Sequence, residues 1–240
     1  MRKLGVIGGL GPMASARFLG LLTQMSEAKR DQEHMEVLLY SKPQIPDRTA
    51  YILGESREDP LPALVGAGRI LADWGAERIV IPCVTSGYFR EALESRIGTP
   101  VVDLAREIAL QARSEGVGRL GILATSGTIR SGLLQKELSG QGVEALTPEG
   151  EEQERVMRVI YGQLKAGEEA DPELLAPAAR TLREKGAQAV LLGCTELSLI
   201  GRASLPGADE GLPFLDAMEV LARKAVAECG RLKAEYRTLL

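Results

Sequence analysis

Short apolar runs alternate with longer amphipathic stretches along the whole of this 240-residue chain. The short runs are continuously apolar, which is typical of strands buried on both faces of a parallel sheet. A strand followed by a helix, repeated many times, indicates parallel sheets with crossover helices, so the sequence predicts an α/β fold. The predicted strands are Leu4–Ile7, Met35–Tyr40, Ile79–Ile81, Val101–Val102, Leu120–Leu123, Val190–Leu192 and a short one near Val143. The predicted helices are Ala14–Glu27, Pro60–Trp74, Phe89–Arg96, Asp103–Glu115, Ser131–Leu138, Gly150–Ala166, Pro172–Lys185 and Asp216–Arg231.

The order of elements repeats once, and each half carries a cysteine just after a strand. In the first half a strand ends in a Gly-rich turn at Gly8, and a later strand ends at Cys83, 75 positions on. In the second half Ala124 and Cys194 stand 70 positions apart. This repetition predicts two pseudo-symmetric domains, each a mainly parallel sheet flanked by helices. Because ligands of open α/β sheets bind outside the carboxyl ends of the strands, two facing domains would bring both cysteines to one cleft.

Cysteine is the residue type that stands out for proton chemistry. The chain has one histidine, His34, and three cysteines, which excludes zinc sites built from two histidines or from four cysteines. Cys83 and Cys194 each follow an apolar strand, where backbone amides and a helix dipole lower the pKa of a thiol. Spacing alone leaves open a catalytic pair or two structural thiols. Cys229, inside the C-terminal helix, is expected to be a buried apolar side chain.

Charge and composition argue against nucleic-acid and membrane partners. The net charge is −4 and aromatic residues make up 4% of the chain, so neither a basic surface nor a base-stacking platform is expected. No apolar run reaches the roughly 18 residues of a membrane-spanning helix. We therefore predict a cytoplasmic protein with reduced thiols.

The Gly-rich turn invites comparison with nucleotide-binding motifs. Residues 9–14 match the dinucleotide fingerprint, but the second strand ends at Tyr40-Ser41 without the acidic residue that would hold a ribose. No phosphate-binding loop with a Gly-Lys-Ser/Thr ending is present. Two interpretations remain, a tight turn without function or a turn whose amides bind a small anion.

Three further side chains are candidates for binding an anion. Arg48 stands in a Pro-stiffened segment, and its planar guanidinium suits bidentate binding of a carboxylate. A surface ion pair with Asp47 would explain Arg48 equally well. Tyr161 and Lys165 are four residues apart and share one face of a predicted helix, which is also the spacing of an ordinary solvated pair.

Six motifs occur in a fixed order over nearly the whole chain. They are Gly8-Gly9-Leu10-Gly11-Pro12, Pro46-Asp47-Arg48-Thr49, Ile81-Pro82-Cys83, Ala124-Thr125-Ser126-Gly127-Thr128, the segment 160–167 (IYGQLKAG) and Gly193-Cys194-Thr195-Glu196-Leu197. In this combination the sequence resembles the aspartate/glutamate racemase superfamily, and within it the aspartate racemase branch.

The resemblance implies an isomerase that inverts an amino-acid Cα without a cofactor or metal, with its site between two similar α/β domains. We expect a first domain of residues 1–104 plus 213–240, which carries Cys83, and a second of residues 105–212, which carries Cys194. The resemblance also implies a homodimer that binds a small carboxylate or amino acid. It makes Cys83 and Cys194 the acid/base pair, and their sulfurs are expected on the order of 7–9 Å apart across the reacting carbon. The expected substrate-binding residues are Gly9, Gly11, Arg48, Thr85, Ser86, Thr128, Tyr161, Lys165, Thr195 and Glu196.

The chain departs from the family pattern at two places. The Asn and His that usually follow the first cysteine are Val84 and Gly87, and a polar C-terminal motif is replaced by Ala217, Met218 and Leu221. These losses predict weakened aspartate racemisation with carboxylate binding retained. Two alternatives stay open: a cysteine-dependent dicarboxylate isomerase or decarboxylase, and a catalytically silent carboxylate-binding homologue.

Overall fold

Two parallel sheets form the frame of the protein in a computed structural model that describes residues 1–208 and 211–240. The first sheet has three strands in the order β2-β1-β3, and the second has four in the order β5-β4-β6-β7. All pairings within these sheets are parallel, which confirms the predicted fold class. The strands are β1 (Leu4–Gly8), β2 (Val37–Ser41), β3 (Arg78–Val80), β4 (Arg119–Leu123), β5 (Glu144–Leu146), β6 (Ala189–Leu192) and β7 (Phe214–Asp216).

Helices connect the strands and cover the sheets. The α-helices are α1 (Pro12–Met25), α2 (Arg48–Leu53), α3 (Leu61–Asp73), α4 (Arg90–Ile97), α5 (Leu104–Ser114), α6 (Ser126–Ser131), α7 (Leu133–Gly140), α8 (Gly150–Met157), α9 (Ala176–Glu184) and α10 (Ala217–Cys229). A π-helical segment, Arg158–Gln163, continues α8, and a short 3₁₀ turn follows at Leu164–Ala166. A longer 3₁₀ segment, Val84–Phe89, follows the first cysteine.

Several helix starts are fixed by side chains that their sequences supply. Asp47, Asp103, Thr125 and Asp216 each accept a hydrogen bond from a backbone amide in the first turn of the helix that follows. Such caps satisfy amides that a helix leaves without an internal partner. The Asp47 cap therefore also fixes the position of the neighbouring Arg48, and the Thr125 cap fixes the turn from Thr125 to Thr128.

One hydrophobic cluster runs through both sheets. It contains Leu4 of β1, Leu120 of β4, Leu191 of β6 and Leu215 of β7, each with no exposed surface. Burial of that kind stabilises a fold by about 25 cal/mol per Å² of apolar surface. Because the two halves share this cluster, the edges that carry the two cysteines are held in one packed body.

Helix α10 accounts for the apolar residues near the C-terminus. Ala217, Met218 and Leu221 are fully buried and belong to the shared cluster. The helix packs against α1 and α5. The residues that replace the family's polar motif are therefore core residues in this chain.

Three sequence expectations need correction. Strand β7 was not predicted, and its pairing with β6 puts Phe214–Asp216 in the second sheet, although the expected domain division assigns it to the first. Val101 forms a single parallel bridge to Ile79 instead of a separate strand. Helices α2 and α6 were also missed, and Arg48 is the first residue of α2. The rest of the domain division stays a prediction.

No helix within the described ranges is long and apolar enough to cross a membrane.

The turn after β1 requires glycine at position 9. Gly9 has φ +94°, and a Cβ there would lie 2.6 Å from the backbone of Lys42. Gly54 has a similar φ of +78°, but nothing lies within 4 Å of its added Cβ.

We expect Gly54→Ala to lower the free energy of unfolding by about 1 kcal/mol, through backbone strain alone. Gly9→Ala adds a steric clash to the same strain and should cost about 2 kcal/mol more. Urea unfolding of the two variants measures the difference. Equal losses would show that the close approach to Lys42 is unimportant.

Candidate active site

The two cysteines lie at the carboxyl ends of their sheets. Cys83 follows β3 after two residues, and Cys194 follows β6 after one. Both side chains are buried. The Gly-rich turn follows β1 and the hydroxyl-rich turn follows β4, so both turns also lie at the carboxyl ends of the sheets. Parallel sheets bind ligands at these ends.

A direct hydrogen bond joins the two cysteine turns. The hydroxyl of Thr195, next to Cys194, donates to the carbonyl oxygen of Pro82, next to Cys83, over 3.0 Å. Thr195 is 1% exposed, so this bond is shielded from water. The contact brings the backbone of the two cysteine segments together, as the repeated spacing predicts.

Four buried threonines form a second connection between the halves. The hydroxyl of Thr49 donates to that of Thr125 over 3.1 Å. The Thr85 hydroxyl lies 2.8 Å from that of Thr128 and 3.2 Å from that of Thr125. Every hydroxyl of this cluster has a partner inside it, so the cluster fixes the turn after Cys83 against the start of α6.

Arg48 is buried, and its guanidinium forms no ion pair with a carboxylate of the described residues. Its Nη1 donates to the carbonyl oxygens of Ile45 and Pro46, and its Nη2 donates to that of Leu10. Its Nε is buried without a hydrogen-bond partner, and no carboxylate of the described residues forms an ion pair with the guanidinium. A surface pair with Asp47 is therefore the wrong interpretation.

Nearby groups offset the effect of burial on this guanidinium. Burial lowers the pKa of Arg48, but electrostatic interactions with Cys83 and with the Asp47 carboxylate more than offset that effect, so the pKa is raised. Arg48 is thus a buried cation within electrostatic range of the first cysteine.

The hydrogen-bond partner of the Asp47 side chain is Tyr161, not Arg48. The Tyr161 hydroxyl donates to Asp47 Oδ2 over 2.9 Å, while Asp47 Oδ1 caps α2 by accepting from the amide of Ala50. Burial, together with the Asp47 carboxylate, raises the pKa of Tyr161, so the phenol stays protonated at neutral pH. Tyr161 therefore acts as a neutral hydrogen-bond donor.

Glu196 is the centre of the second cluster. Its Oε1 accepts from Lys165 Nζ over 2.8 Å and from the amide of Gly11 over 2.9 Å. Its Oε2 accepts from the thiol of Cys194 over 2.9 Å. Burial would raise the pKa of Glu196, but Lys165 and the hydrogen bonds lower it below its ordinary value. Glu196 is therefore ionised at neutral pH.

The charges around Lys165 and Cys194 follow from the same contacts. Burial lowers the pKa of Lys165, yet Glu196, Cys194 and Cys83 raise it overall. Both cysteines thus lie within electrostatic range of one ammonium. Burial and the adjacent Glu196 carboxylate raise the pKa of the Cys194 thiol well above its usual range, so this thiol is protonated at neutral pH.

A cavity of about 550 Å³ opens above these groups. Five predicted site residues line it, namely Gly9, Gly11, Arg48, Lys165 and Glu196. The rest of its wall consists of Leu10, Pro12, Met13, Ala14, Pro43, Ile45, Asp47, Leu164, Ala166, Gly167 and Leu199. The cysteines are outside this wall, as are Thr85, Ser86, Thr128, Tyr161 and Thr195.

Apolar packing replaces the polar residues that the family carries after its first cysteine. Val84 is 3% exposed and belongs to the shared core. A Cβ at Gly87 would lie 2.6 Å from Leu133 Cδ2, so a leucine fills that space. The hydroxyl of Ser86 is buried without a partner.

Sequence reasoning missed three residues of the site. Asp47 was considered only as a partner of Arg48, although its place before a helix is an N-cap signal. Thr49 and Thr125 lie inside the motifs at 46–49 and 124–128, and their role appears only when the two halves meet.

The family assignment follows from comparison with known proteins. The sequence model of the Asp/Glu/Hydantoin racemase family matches residues 7–225. The chain belongs to this family.

Individual racemases are similar over most of the chain. An aspartate racemase from Picrophilus torridus superposes with a TM-score of 0.82 and 26% identity, covering 99% of this chain and 98% of that one. An aspartate racemase homologue from Pyrococcus horikoshii OT3 gives a TM-score of 0.75 and 25% identity over 95% and 99% of the two chains. The broad specificity amino-acid racemase RacX of Bacillus subtilis (strain 168) is 20% identical over 230 residues, which are 93% of this chain and 96% of RacX. The racemase family and these relatives support an enzyme of the isomerase class.

The raised pKa of Cys194 predicts how stability depends on pH. The thiol ionises near pH 8.5 in the unfolded chain and at higher pH in the folded one. Its contribution to the free energy of unfolding is therefore fully present below about pH 8.5 and is lost progressively as the pH rises above that value. We expect the difference in unfolding free energy between the natural protein and Cys194→Ser to fall by about 1.4 kcal/mol per pH unit above pH 9. Denaturant unfolding at pH 7, 9 and 10 measures it. A difference that does not change with pH would contradict the assignment of a buried neutral thiol.

Proposed function

We propose that this protein is a cofactor-independent amino-acid racemase in which Cys83 and Cys194 act on opposite faces of the substrate's Cα. The observation that carries the proposal is the buried guanidinium of Arg48, which forms no ion pair with a carboxylate of the described residues and lies within electrostatic range of Cys83. A buried charge without a counter-charge costs several kcal/mol. A substrate carboxylate bound at Arg48 supplies the missing charge and holds Cα near the first cysteine.

The proton balance of the reaction needs one thiolate and one thiol. The thiolate of one cysteine takes the proton from Cα, and the thiol of the other delivers its proton to the opposite face, which leaves the second cysteine as the thiolate. One C–H bond breaks and one forms, and no electron leaves the substrate. The reverse reaction uses the same groups in exchanged roles.

The surroundings of the two cysteines support an assignment of which cysteine is the base and which is the acid. Cys194 is the protonated partner, because it donates to Glu196 and is buried beside that carboxylate. Arg48 lies within electrostatic range of Cys83, and Lys165 lies within electrostatic range of both sulfurs. Coulomb attraction to these cations stabilises the negative charge that develops on the substrate. We infer that Cys83 is the base and Cys194 the acid when Cys194 carries its proton.

The chain offers a matched set of cysteine variants. We expect Cys83→Ser and Cys194→Ser each to lower the racemisation rate by at least about 10³-fold, because a serine hydroxyl is a far weaker acid than a thiol. Cys229→Ser, in the buried face of α10, should keep the rate within about threefold. Chiral chromatography of a panel of amino acids measures the rates. Racemisation that survives in either of the first two variants would overturn the two-cysteine proposal.

Arg48 tests the carboxylate site independently. Arg48→Lys keeps the charge but loses the planar fork, so we expect kcat/KM to fall at least tenfold, and Arg48→Ala at least a hundredfold. Arg57→Ala, which removes an exposed arginine, is the control and should change kcat/KM less than twofold. An Arg48→Ala variant with unchanged kcat/KM would show that the substrate carboxylate binds elsewhere.

A further inference from the structure

Strand β2 leaves one edge of the first sheet open. It pairs with β1 on one side, and no strand of the described residues pairs with it on the other. Val37, Leu38, Leu39 and Tyr40 are partly exposed and Ser41 is exposed, whereas every residue of β1 is buried. The outer edge of such a strand presents unpaired backbone N–H and C=O groups, which bind another strand unless something protects them.

The other sheet edges in the described part of the chain are protected. Strand β5 has three residues and begins at Glu144, whose carboxylate pairs with Arg119. Strand β7 also has three residues, all buried, and the outer side of β3 is bridged by Val101. Strand β2 is five residues long, contains neither a charge nor a proline, and pairs with β1 without a bulge. It therefore lacks the devices that normally keep edge strands apart.

Alternate residues of β2 direct their backbone groups to the open side. The carbonyl oxygen of Glu36 accepts from an amide of β1, and the amide of Lys42 donates to a carbonyl oxygen of β1. The even-numbered residues therefore bond to β1, and the odd-numbered residues Val37, Leu39 and Ser41 direct their N–H and C=O groups outwards. Each of the odd-numbered residues offers one donor and one acceptor to a further strand.

The backbone of this edge is complementary to itself in the antiparallel direction. With Leu39 opposite Leu39 of a second copy, Val37 of each copy lies opposite Ser41 of the other. All the outward-directed residues then face one another, and each opposed pair exchanges two hydrogen bonds. A shift of this register in either direction leaves some of these groups without a partner.

The charges at the ends of the strand agree with the same register. It places Glu36 of one copy opposite Lys42 of the other at both ends of the paired strands. Opposite charges directly across an antiparallel pair are favourable and like charges are unfavourable. Glu36 also pairs with Lys3 of its own chain over 3.1 Å, but 62% of its side chain stays exposed. A parallel pairing of two copies would oppose like charges instead.

Apolar side chains extend this edge on both faces of the sheet. Leu19 of α1 is 40% exposed and lies in the same groove as Val37. Trp74, at the end of α3, is 54% exposed and contacts Tyr40, with ring centroids 6.5 Å apart. Large apolar side chains exposed beside an open strand add apolar surface that a partner can bury, at about 25 cal/mol per Å².

We propose that two copies of this chain associate through the outer edge of β2, in antiparallel register about a two-fold axis at Leu39. The two first sheets then form one continuous sheet, with Leu19 and Trp74 of each copy beside the contact. A two-fold axis makes the contact identical for both copies, so the assembly closes as a dimer. The surface lies outside the residues that carry the proposed racemase function, and its tests do not depend on turnover.

Sedimentation equilibrium of the natural protein, from nanomolar to micromolar concentrations, tests the association. We expect a monomer–dimer equilibrium without larger species. Trp74 is the single tryptophan of the chain, so its fluorescence reports on this surface. Its emission should shift to longer wavelength as the dimer dissociates. A monomer at every concentration would overturn the proposal, and so would a dissociation that leaves the Trp74 emission unchanged.

Two charge reversals test the register. Glu36→Lys or Lys42→Glu places like charges opposite each other at both ends of the paired strands, so each variant alone should dimerise at least tenfold more weakly than the natural protein. An equimolar mixture of the two variants restores opposite charges at both ends and should dimerise within about threefold of the natural protein. Recovery on mixing also shows that both variants are folded. Single variants that dimerise normally, or a mixture that does not recover, would overturn the proposal.

Matched controls separate the contact from an effect of net charge. Glu184→Lys in α9 and Lys136→Glu in α7 make the same charge changes at exposed positions beside the second sheet. We expect each control to dimerise within twofold of the natural protein. Weakening in the controls as large as in the β2 variants would overturn the assignment of the contact to β2.

Discussion

A single buried carboxylate, Glu196, connects the parts of the chain on which the site depends. It accepts hydrogen bonds from the Gly11 amide after β1, from Lys165 after the π-helical segment and from the thiol of Cys194 after β6. A carboxylate this deeply buried is stable only while its partners stay in place. The Gly-rich turn of the first sheet, the cation of Lys165 and the cysteine of the second sheet are therefore positioned together.

The two cysteines occupy similar places in the fold but different environments. Cys194 has a carboxylate as its immediate partner, which keeps its proton bound, whereas Cys83 lies within electrostatic range of the guanidinium of Arg48. The repeated strand–cysteine pattern supplies the symmetry of the site, and the non-repeated residues Arg48 and Glu196 break it. This asymmetry gives the two thiols different electrostatic surroundings.

Local sequence patterns predicted most of the frame because its strands are continuous apolar runs. Strand β7 was missed, since three residues carry little pattern and its assignment depends on pairing with β6. The motif residues were identified in sequence, but their partners were not. These partners depend on how the two halves pack. Asp47 binds Tyr161 and not Arg48, and Thr49 binds Thr125. The apolar residues at 84, 217, 218 and 221 were noted as departures, and the structure explains them as core positions.

If two thiols serve opposite faces of one carbon, the placement of a hydrogen isotope distinguishes them from a single base. The natural protein is incubated in D₂O with one enantiomer of a substrate, and both enantiomers are separated and analysed by mass spectrometry at low conversion. We expect deuterium at Cα of nearly all of the product and little in the remaining substrate, because the proton removed by one cysteine is not the one returned by the other. Product that retains the original hydrogen, or equal labelling of product and remaining substrate from the outset, would contradict it.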